Sequence, residues 1–255
     1  MYQDQTSTNS GAGLQTPLRN SYFYGQLLGV QNFELETAYG IGQRRLLNRL
    51  VLGYGVICGL DVEVQDDGQH VRVSPGVAID RWGQEIIVPA RTGWIPIPPD
   101  LLASAVTAAG DCKTDACVQV LICYHECRGD PAPVLAGDCR TIDPCAPSTV
   151  REQYRIDLRP ECTTPPEPVS VISGAIRNGV LDYGQIARWV TGRDCSTLPR
   201  DPCIALANLP VVDPDNNPRC DPNRVDITVR PVLPSNIVLR ELILALVGRD
   251  RQQQY

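Results

Sequence analysis

Residues 55–89, GVICGLDVEVQDDGQHVRVSPGVAIDRWGQEIIVP, decide how this chain folds. Val62 and Val64 alternate with Asp61 and Glu63, the run Asp66-Asp67-Gly68 supplies a turn, and Val71 and Val73 return on a second strand. Ser74-Pro75-Gly76 then redirects the chain into Val77 and Ile79. A second tight turn follows at Gly83, and Glu85–Pro89 runs back. Apolar residues of period two, each run closed by turn residues, predict β-hairpins. Their Val and Ile faces predict a small sheet or barrel.

Outward from this module the pattern changes. Residues 1–18 are polar, without periodicity, and read as a flexible or docking arm. Phe33, Leu35, Tyr39, Gly42, Leu46 and Leu50 recur at helical spacing and predict a helix over 33–51, capped by Asn32 and ended by Gly53. Downstream, residues 94–110 carry one or two helical turns. ACVQVLICYHEC, residues 116–127, is apolar on both faces and predicts a central strand. Residues 128–168 are rich in Asp, Pro, Cys and Gly and predict a long ordered loop, interrupted by a strand at REQYRIDLRP. Strands are expected at PVSVISGAI, CIALANLPVV and RVDITVRPVL. A last amphipathic helix is expected over 235–247, capped by Ser235.

The expected fold is therefore α+β and mostly β: hairpin or barrel-like β modules between an N-terminal and a C-terminal amphipathic helix. The expected organisation is an arm (1–18), a helix plus β-hairpin module (19–93), a cysteine-rich β region with long loops (94–234), and a C-terminal helix and tail (235–255).

The 255 residues carry a formal net charge of -6, which disfavours tracking a nucleic-acid backbone. The N-terminus shows no positive and apolar leader pattern, so the chain is expected to be made in the cytoplasm. No apolar run reaches the roughly 20 residues of a membrane-spanning helix.

Eleven cysteines are the compositional oddity. Cys112, Cys117, Cys123 and Cys127 offer four thiolates that can hold a structural zinc, although their spacing lacks the usual two-residue knuckle. Disulfides are the reading preferred over zinc, and inert packed thiols stand as a further alternative. Cys139 with Cys145, and Cys195 with Cys203, would close short loops as disulfides. Cys58, alone in an apolar stretch, is expected as a buried free thiol.

Catalytic patterns are sparse. His70 adjoins an Asp-Gly turn, and His125 shares a strand face with Cys123 in CYHEC, the ingredients of a Cys-His pair. Asp61, Glu63, Asp66, Asp67, Asp80 and Glu85 fit turns and solvent faces better than an acid-base pair. No metalloprotease helix, serine elbow, P-loop or dinucleotide turn is present. A non-enzyme is expected, with no cofactor and no catalytic residue.

YFYGQLLGVQNFELETAYGIGQRRLLNRLVLGYGVICGLDVEV, residues 22–64, followed by VRVSPGVAIDRWGQEIIVP, resembles a bacterial family of uncharacterised proteins associated with extracellular contractile injection systems. The shared pattern joins an aromatic lead-in, a helix with an Arg-Leu-Leu-Asn-Arg core, a glycine-flanked Cys-Gly-Leu turn and a strand pair around Pro-Gly-x-Ala-x-Asp. The second part is also similar to β modules of phage baseplate and tail-fibre proteins. The resemblance implies a structural or adaptor subunit of a phage-tail-like particle: baseplate, fibre, cap or anchor. It transfers no catalytic residue, the matched polar positions being Arg44, Arg45 and Arg49.

The expected partners are further copies, as trimer or hexamer, and other particle subunits, the whole being released on lysis. Leu239, Leu242, Ile243 and Leu246 are the expected oligomer face, unless they cover the chain's own sheet. A receptor- or glycan-binding fibre module, using Trp82, Trp94 or Trp189, is the alternative. A cysteine- or zinc-dependent hydrolase is the third reading.

Overall fold

The computed structural model describes residues 14–109, 116–133, 145–165, 176–177, 180–212 and 217–252. Helix α1 spans Val30–Leu47 and runs into a π-helical turn, Asn48–Leu52, which Gly53 ends at φ +91°. It starts three residues before the expected position because Gly29, not Asn32, is the cap. The Asn32 side chain instead reaches back to accept the Gly29 N–H at 3.0 Å.

The quoted stretch forms β1 (Gly55–Gly59), β2 (Val62–Val64), β3 (His70–Val73), β4 (Gly76–Ile79) and β5 (Glu85–Val88), with β6 (Ile95–Pro96) following. Both expected hairpins are present. Val62 pairs with Val73 and Val64 with Val71, while Gly76 pairs with Val88 and Ile79 with Glu85. The strands divide between two open antiparallel sheets, β1-β4-β5 and β2-β3-β6, so no barrel closes. The chain changes sheets at Gly59 and Leu60, both at positive φ. At Gly59 a side chain would strike the Pro75 carbonyl, so only glycine permits the crossing. Leu60, just beyond it, is completely buried.

The second half adds α2 (Pro99–Ala109), which buries Leu102 and Ala105, and a four-stranded sheet in the order β12-β11-β7-β8. Its strands are β7 (Cys117–Pro133), β8 (Cys145–Arg159), β11 (Ile204–Val212) and β12 (Arg219–Cys220). Between β8 and β11 lie a two-residue pair, β9 (Ile176–Arg177) and β10 (Val180–Leu181), and helix α3 (Tyr183–Thr191). Asp182 caps α3 by accepting the Gln185 N–H at 3.2 Å. Sequence periodicity passed over this helix because it is short and follows a turn-rich stretch.

One hydrophobic core joins the parts. Leu60, Val71, Val73, Ile86 and Val88 of the hairpin sheets pack in the same cluster as Val118, Val120, Ile122, Leu206 and Leu209 of the larger sheet. Packing is thus continuous across residue 93. Burying each such side chain contributes about 1.5–3 kcal/mol.

Two disulfides reinforce the larger sheet: Cys117–Cys162 and Cys123–Cys203. Beside the first, buried Asn208 accepts the Thr163 N–H at 3.1 Å and donates to the Thr163 carbonyl at 2.8 Å, so the segment after β8 is pinned across β11.

Two expectations change, and a third lies outside the described residues. Much of the loop expected over 128–168 is strand: β7 and β8 stay paired from Gln119–Arg159 out to Pro133–Cys145. The outer part of this hairpin is an exposed ribbon. The Asp130 carboxylate clamps it, accepting from the Thr149 hydroxyl at 2.6 Å and the Arg151 guanidinium at 2.8 Å. The strand expected at 224–233 reduces to two single bridges, Asn208–Asp226 and Val56–Val232. Asp226 diverts it by accepting from the Thr228 N–H and hydroxyl, which makes a turn instead. The strand expected at PVSVISGAI lies outside the described residues except at Ile176.

The last helix, α4, spans Asn236–Gln252 and begins at Ser235, whose hydroxyl accepts the Val238 N–H at 3.4 Å. Among the described residues no helix is long and apolar enough to cross a membrane.

Candidate functional site

The Arg-Arg-Leu-Leu-Asn-Arg run at 44–49 fixes α1 to the core through its polar side chains. Arg44 pairs with Glu85 of β5 at 3.0 Å and lies 3.7 Å from Glu152 of β8. Arg45 reaches Glu126 of β7 at 3.4 Å and stacks over the Tyr124 ring, whose hydroxyl in turn donates to Glu126 at 2.8 Å. Burial, and then this hydrogen bond to a carboxylate, push the Tyr124 phenol well above its ordinary pKa.

Asn48, buried in the π-helical turn, donates to the Gly83 carbonyl at 2.9 Å and to Glu85 at 2.8 Å, and Arg49 donates to the Cys195 carbonyl at 3.1 Å. The partners come from β5, β7, β8 and the loop after α3, so this motif sets the direction in which α1 leaves the core. The ion pairs are half exposed and each is worth about 1 kcal/mol or less. The buried amide of Asn48 carries more weight, because leaving its partners unmatched costs about 1–3 kcal/mol.

The turn that receives α1 is built around Asp80. Its carboxylate is fully buried and accepts the Trp82 and Gln84 N–H groups, each at 2.8 Å. Burial raises its pKa to about 6, against the lowering effect of those hydrogen bonds and of nearby Arg45. Gly83, at φ +84°, lies so close to the Arg45 carbonyl that any side chain there would collide with α1.

Beyond this anchor α1 is only partly covered: Leu35, Tyr39 and Ile41 are half-buried, and Asn20 and Tyr22 hydrogen-bond to it at Asn32 and Glu36. None of its residues is buried, and Phe33 keeps 61% of its surface. The preceding segment exposes Tyr22, Phe23, Tyr24, Leu27 and Leu28, and the π-helical turn exposes Val51 and Leu52. The other end of the chain repeats the feature. Residues 236–245 of α4 are all exposed, including Leu239 (42%), Leu242 (53%) and Ile243 (60%). The side chain of Leu246 lies outside the described residues. The two apolar helices start from one place on the core: Val56 bridges Val232, and the Leu233 N–H donates to the Val56 carbonyl at 2.9 Å.

The cysteines are arranged differently from the expected pairs. Cys117 and Cys123 bond Cys162 and Cys203, and Cys127 is an exposed thiol on the ribbon, so these three do not gather around a metal; Cys112 lies outside the described residues. Cys203 does not pair with Cys195, which keeps its thiol: β7 and β11 are register neighbours, and that brings Cys123 to Cys203. Cys145 is an exposed thiol, and Cys139 lies outside the described residues.

Cys123, Asp157 and Cys203 place their ligand atoms within 4.8 Å of one another. The two sulfurs are bonded, however, and Arg155 holds both oxygens of Asp157 at 2.6 and 2.9 Å, so these donors are already engaged. Cys58 is exposed rather than buried, because a bulge between Val56 and Cys58 shifts the register against β4 and turns the following residues outward. Among the described residues Cys220 is the buried thiol, and burial pushes its pKa up to about 12.

The remaining candidates are dispersed. His70 sits 2.9 Å from the Asp67 carboxylate at a hairpin end, where a hydrogen bond from the Gln69 backbone, with help from His70, lowers the Asp67 pKa. His125 is exposed on the ribbon opposite Gln153, and the Cys123 sulfur on its strand is committed to the disulfide. The Trp82 indole N–H donates to the Pro199 carbonyl at 2.9 Å, Trp94 is covered by Arg72 at 4.2 Å, and Trp189 lies under Arg193.

Neither a known family model nor a curated protein matches the chain. Among solved structures, a crystal structure of TssK aligns at 14% identity with a TM-score of 0.37, over 94% of this chain and 49% of TssK. The chain thus spans about half the length of that protein.

Proposed function

We propose that this chain is a structural or adaptor subunit of a contractile, phage-tail-like particle, with no catalytic role of its own. The observation that carries the reading is the pairing of a cross-linked β core with apolar side chains left exposed at Tyr22–Phe33 and along α4. Monomers rarely expose large contiguous apolar patches, which ordinarily mark a surface for other proteins. The resemblance of residues 22–89 supplies the kind of assembly, and its Arg-Leu-Leu-Asn-Arg motif is the element that aims α1.

In this reading Leu239, Leu242, Ile243 and Leu246 belong to an interface between subunits, and the subunits form a trimer or hexamer within a particle released on lysis. The test is retrieval of the tagged chain from its native cells, followed by electron microscopy. Sheath-and-tube particles carrying the tag at one fixed position are expected. A tag recovered only on small soluble species, from cells that do make such particles, contradicts the proposal.

A further inference from the structure

Asp157 of β8 aims its carboxylate at a buried sulfur. In the β7–β8 register it stands opposite Leu121, diagonal to Cys123 on the same sheet face. One of its oxygens lies 3.5 Å from the Cys123 sulfur. A sulfur bonded in a disulfide carries no proton to donate, so in the cross-linked chain this contact is not a hydrogen bond. Arg155 holds the carboxylate from outside through a side chain that is 61% exposed, and exposed pairs of this kind are weak.

Opening the Cys123–Cys203 bond changes the chemistry of the cluster. It leaves two thiols and a carboxylate with their ligand atoms within 4.8 Å of one another. Tetrahedral zinc, with bonds of about 2.3 Å to sulfur and 2.0–2.2 Å to oxygen, sets a sulfur and an oxygen about 3.6 Å apart and two sulfurs about 3.8 Å apart. The Cys123–Asp157 spacing already matches the first distance. Cys203 stands one residue before β11 and outside its ladder with β7, so turning its side chain supplies the second. Cys123 and Cys203 are buried, whereas the Asp157 side chain is 25% exposed. The sulfurs are thus shielded, and the carboxylate side gives the ion its entry and leaves room for water as a fourth ligand. Two thiolates and one carboxylate against a divalent ion leave one negative charge, which Arg155 balances. Among the described residues Cys117–Cys162, the other disulfide, has no such third donor.

We propose that Cys123, Cys203 and Asp157 bind one zinc ion whenever their disulfide is open, so that metal and cross-link alternate at one place in the larger sheet. Cytosolic conditions keep such thiols reduced. The exchange balances with a small disulfide such as oxidised glutathione as oxidant. Its S–S bond takes two electrons and yields two thiolates, the two zinc–sulfur bonds give way to the Cys123–Cys203 bond, and the zinc ion passes to solvent. This site is independent of the assembly reading above.

The full-length chain, reduced with a phosphine and dialysed anaerobically against zinc, tests the proposal by metal analysis. Reduced wild type is expected to retain one more zinc per chain than a Cys123→Ser, Cys203→Ser variant, and as much as a Cys117→Ser, Cys162→Ser variant. Oxidation of the wild type is expected to release that ion. With cobalt as a spectroscopic probe, Asp157→Ala is expected to keep the thiolate-to-cobalt absorption and to bind at least tenfold more weakly. Equal zinc in reduced wild type and the Cys123→Ser, Cys203→Ser variant overturns the proposal, as does an absence of zinc from reduced wild type. Wild-type cobalt affinity in Asp157→Ala also overturns it, and decides alone should the serine variants misfold. If reduction unfolds the metal-free chain, zinc is expected to restore its circular dichroism, and failure to do so overturns the proposal as well.

Discussion

Asp80 shows how far a single residue's role depends on where the fold puts it. Read in sequence it is one turn former among six carboxylates; in the structure it is the one fully buried. Its folded pKa of about 6 lies above the ordinary value of 3.8. Between those values the folded chain holds a proton that the unfolded chain has released. Stability therefore falls as pH rises through this window, and the ionised group is a full burden above it. Asp80→Asn keeps an oxygen for the Trp82 and Gln84 N–H groups and removes the charge. Denaturant unfolding should show it more stable than wild type by on the order of 1–3 kcal/mol at pH 8, with the difference vanishing near pH 4. Lower stability at pH 8 would mean that attraction to Arg45 outweighs burial. Gly59 makes the converse case, because Gly-Leu reads as a turn but not as a crossing between two sheets. Gly59→Ala meets the Pro75 carbonyl at a positive φ, and a loss of about 2 kcal/mol or more is expected in the same assay. Cys58 was misplaced for a similar reason: a one-residue bulge reverses facing, and nothing in an apolar run announces it.

At the scale of elements, hairpins, the central strand and the two long helices were legible because their period is local. The β7–β8 ribbon was not. Proline and glycine at 129–133 ordinarily break strands, but here both edges of the ribbon are open, so few ladder bonds are lost. Cysteine pairing was equally out of reach, since it is set by the register of β7 against β11, which are 80 residues apart at the Cys123–Cys203 bond. Closing a loop of that length stabilises the fold by about 4 kcal/mol in the chain-entropy model. A Cys123→Ser, Cys203→Ser double variant should lose a comparable amount in chemical denaturation, and an unchanged midpoint would show that the bond does not form. The anchor of α1 is half visible in the sequence: the arginines stand out, but no local pattern marks Asn48 as its buried member. Asn48→Ala is expected to cost about 1–3 kcal/mol and to speed amide exchange across Val30–Leu47, with the hairpin sheets unchanged. A rate unchanged from wild type there would assign the anchoring to the arginines instead.

For the whole molecule, the sequence conveyed the fold class and the apolar helix faces, but it could not say which of those faces the chain would cover itself. Coverage depends on the direction in which α1 and α4 leave the core, and that direction comes from contacts with β5, β7 and β8 that are distant in sequence. In the proposed assembly the β core is complete in one chain and neighbours complete the cover of the helices. Hydrogen–deuterium exchange compared between the isolated chain and the assembled particle tests this most directly. Tyr22–Leu47 and Asn236–Gln252 are expected to exchange fast in the isolated chain and to become strongly protected in the particle, while Gly55–Val88 and Ile204–Val212 exchange equally slowly in both. Equal exchange of the two helices in both states would contradict it.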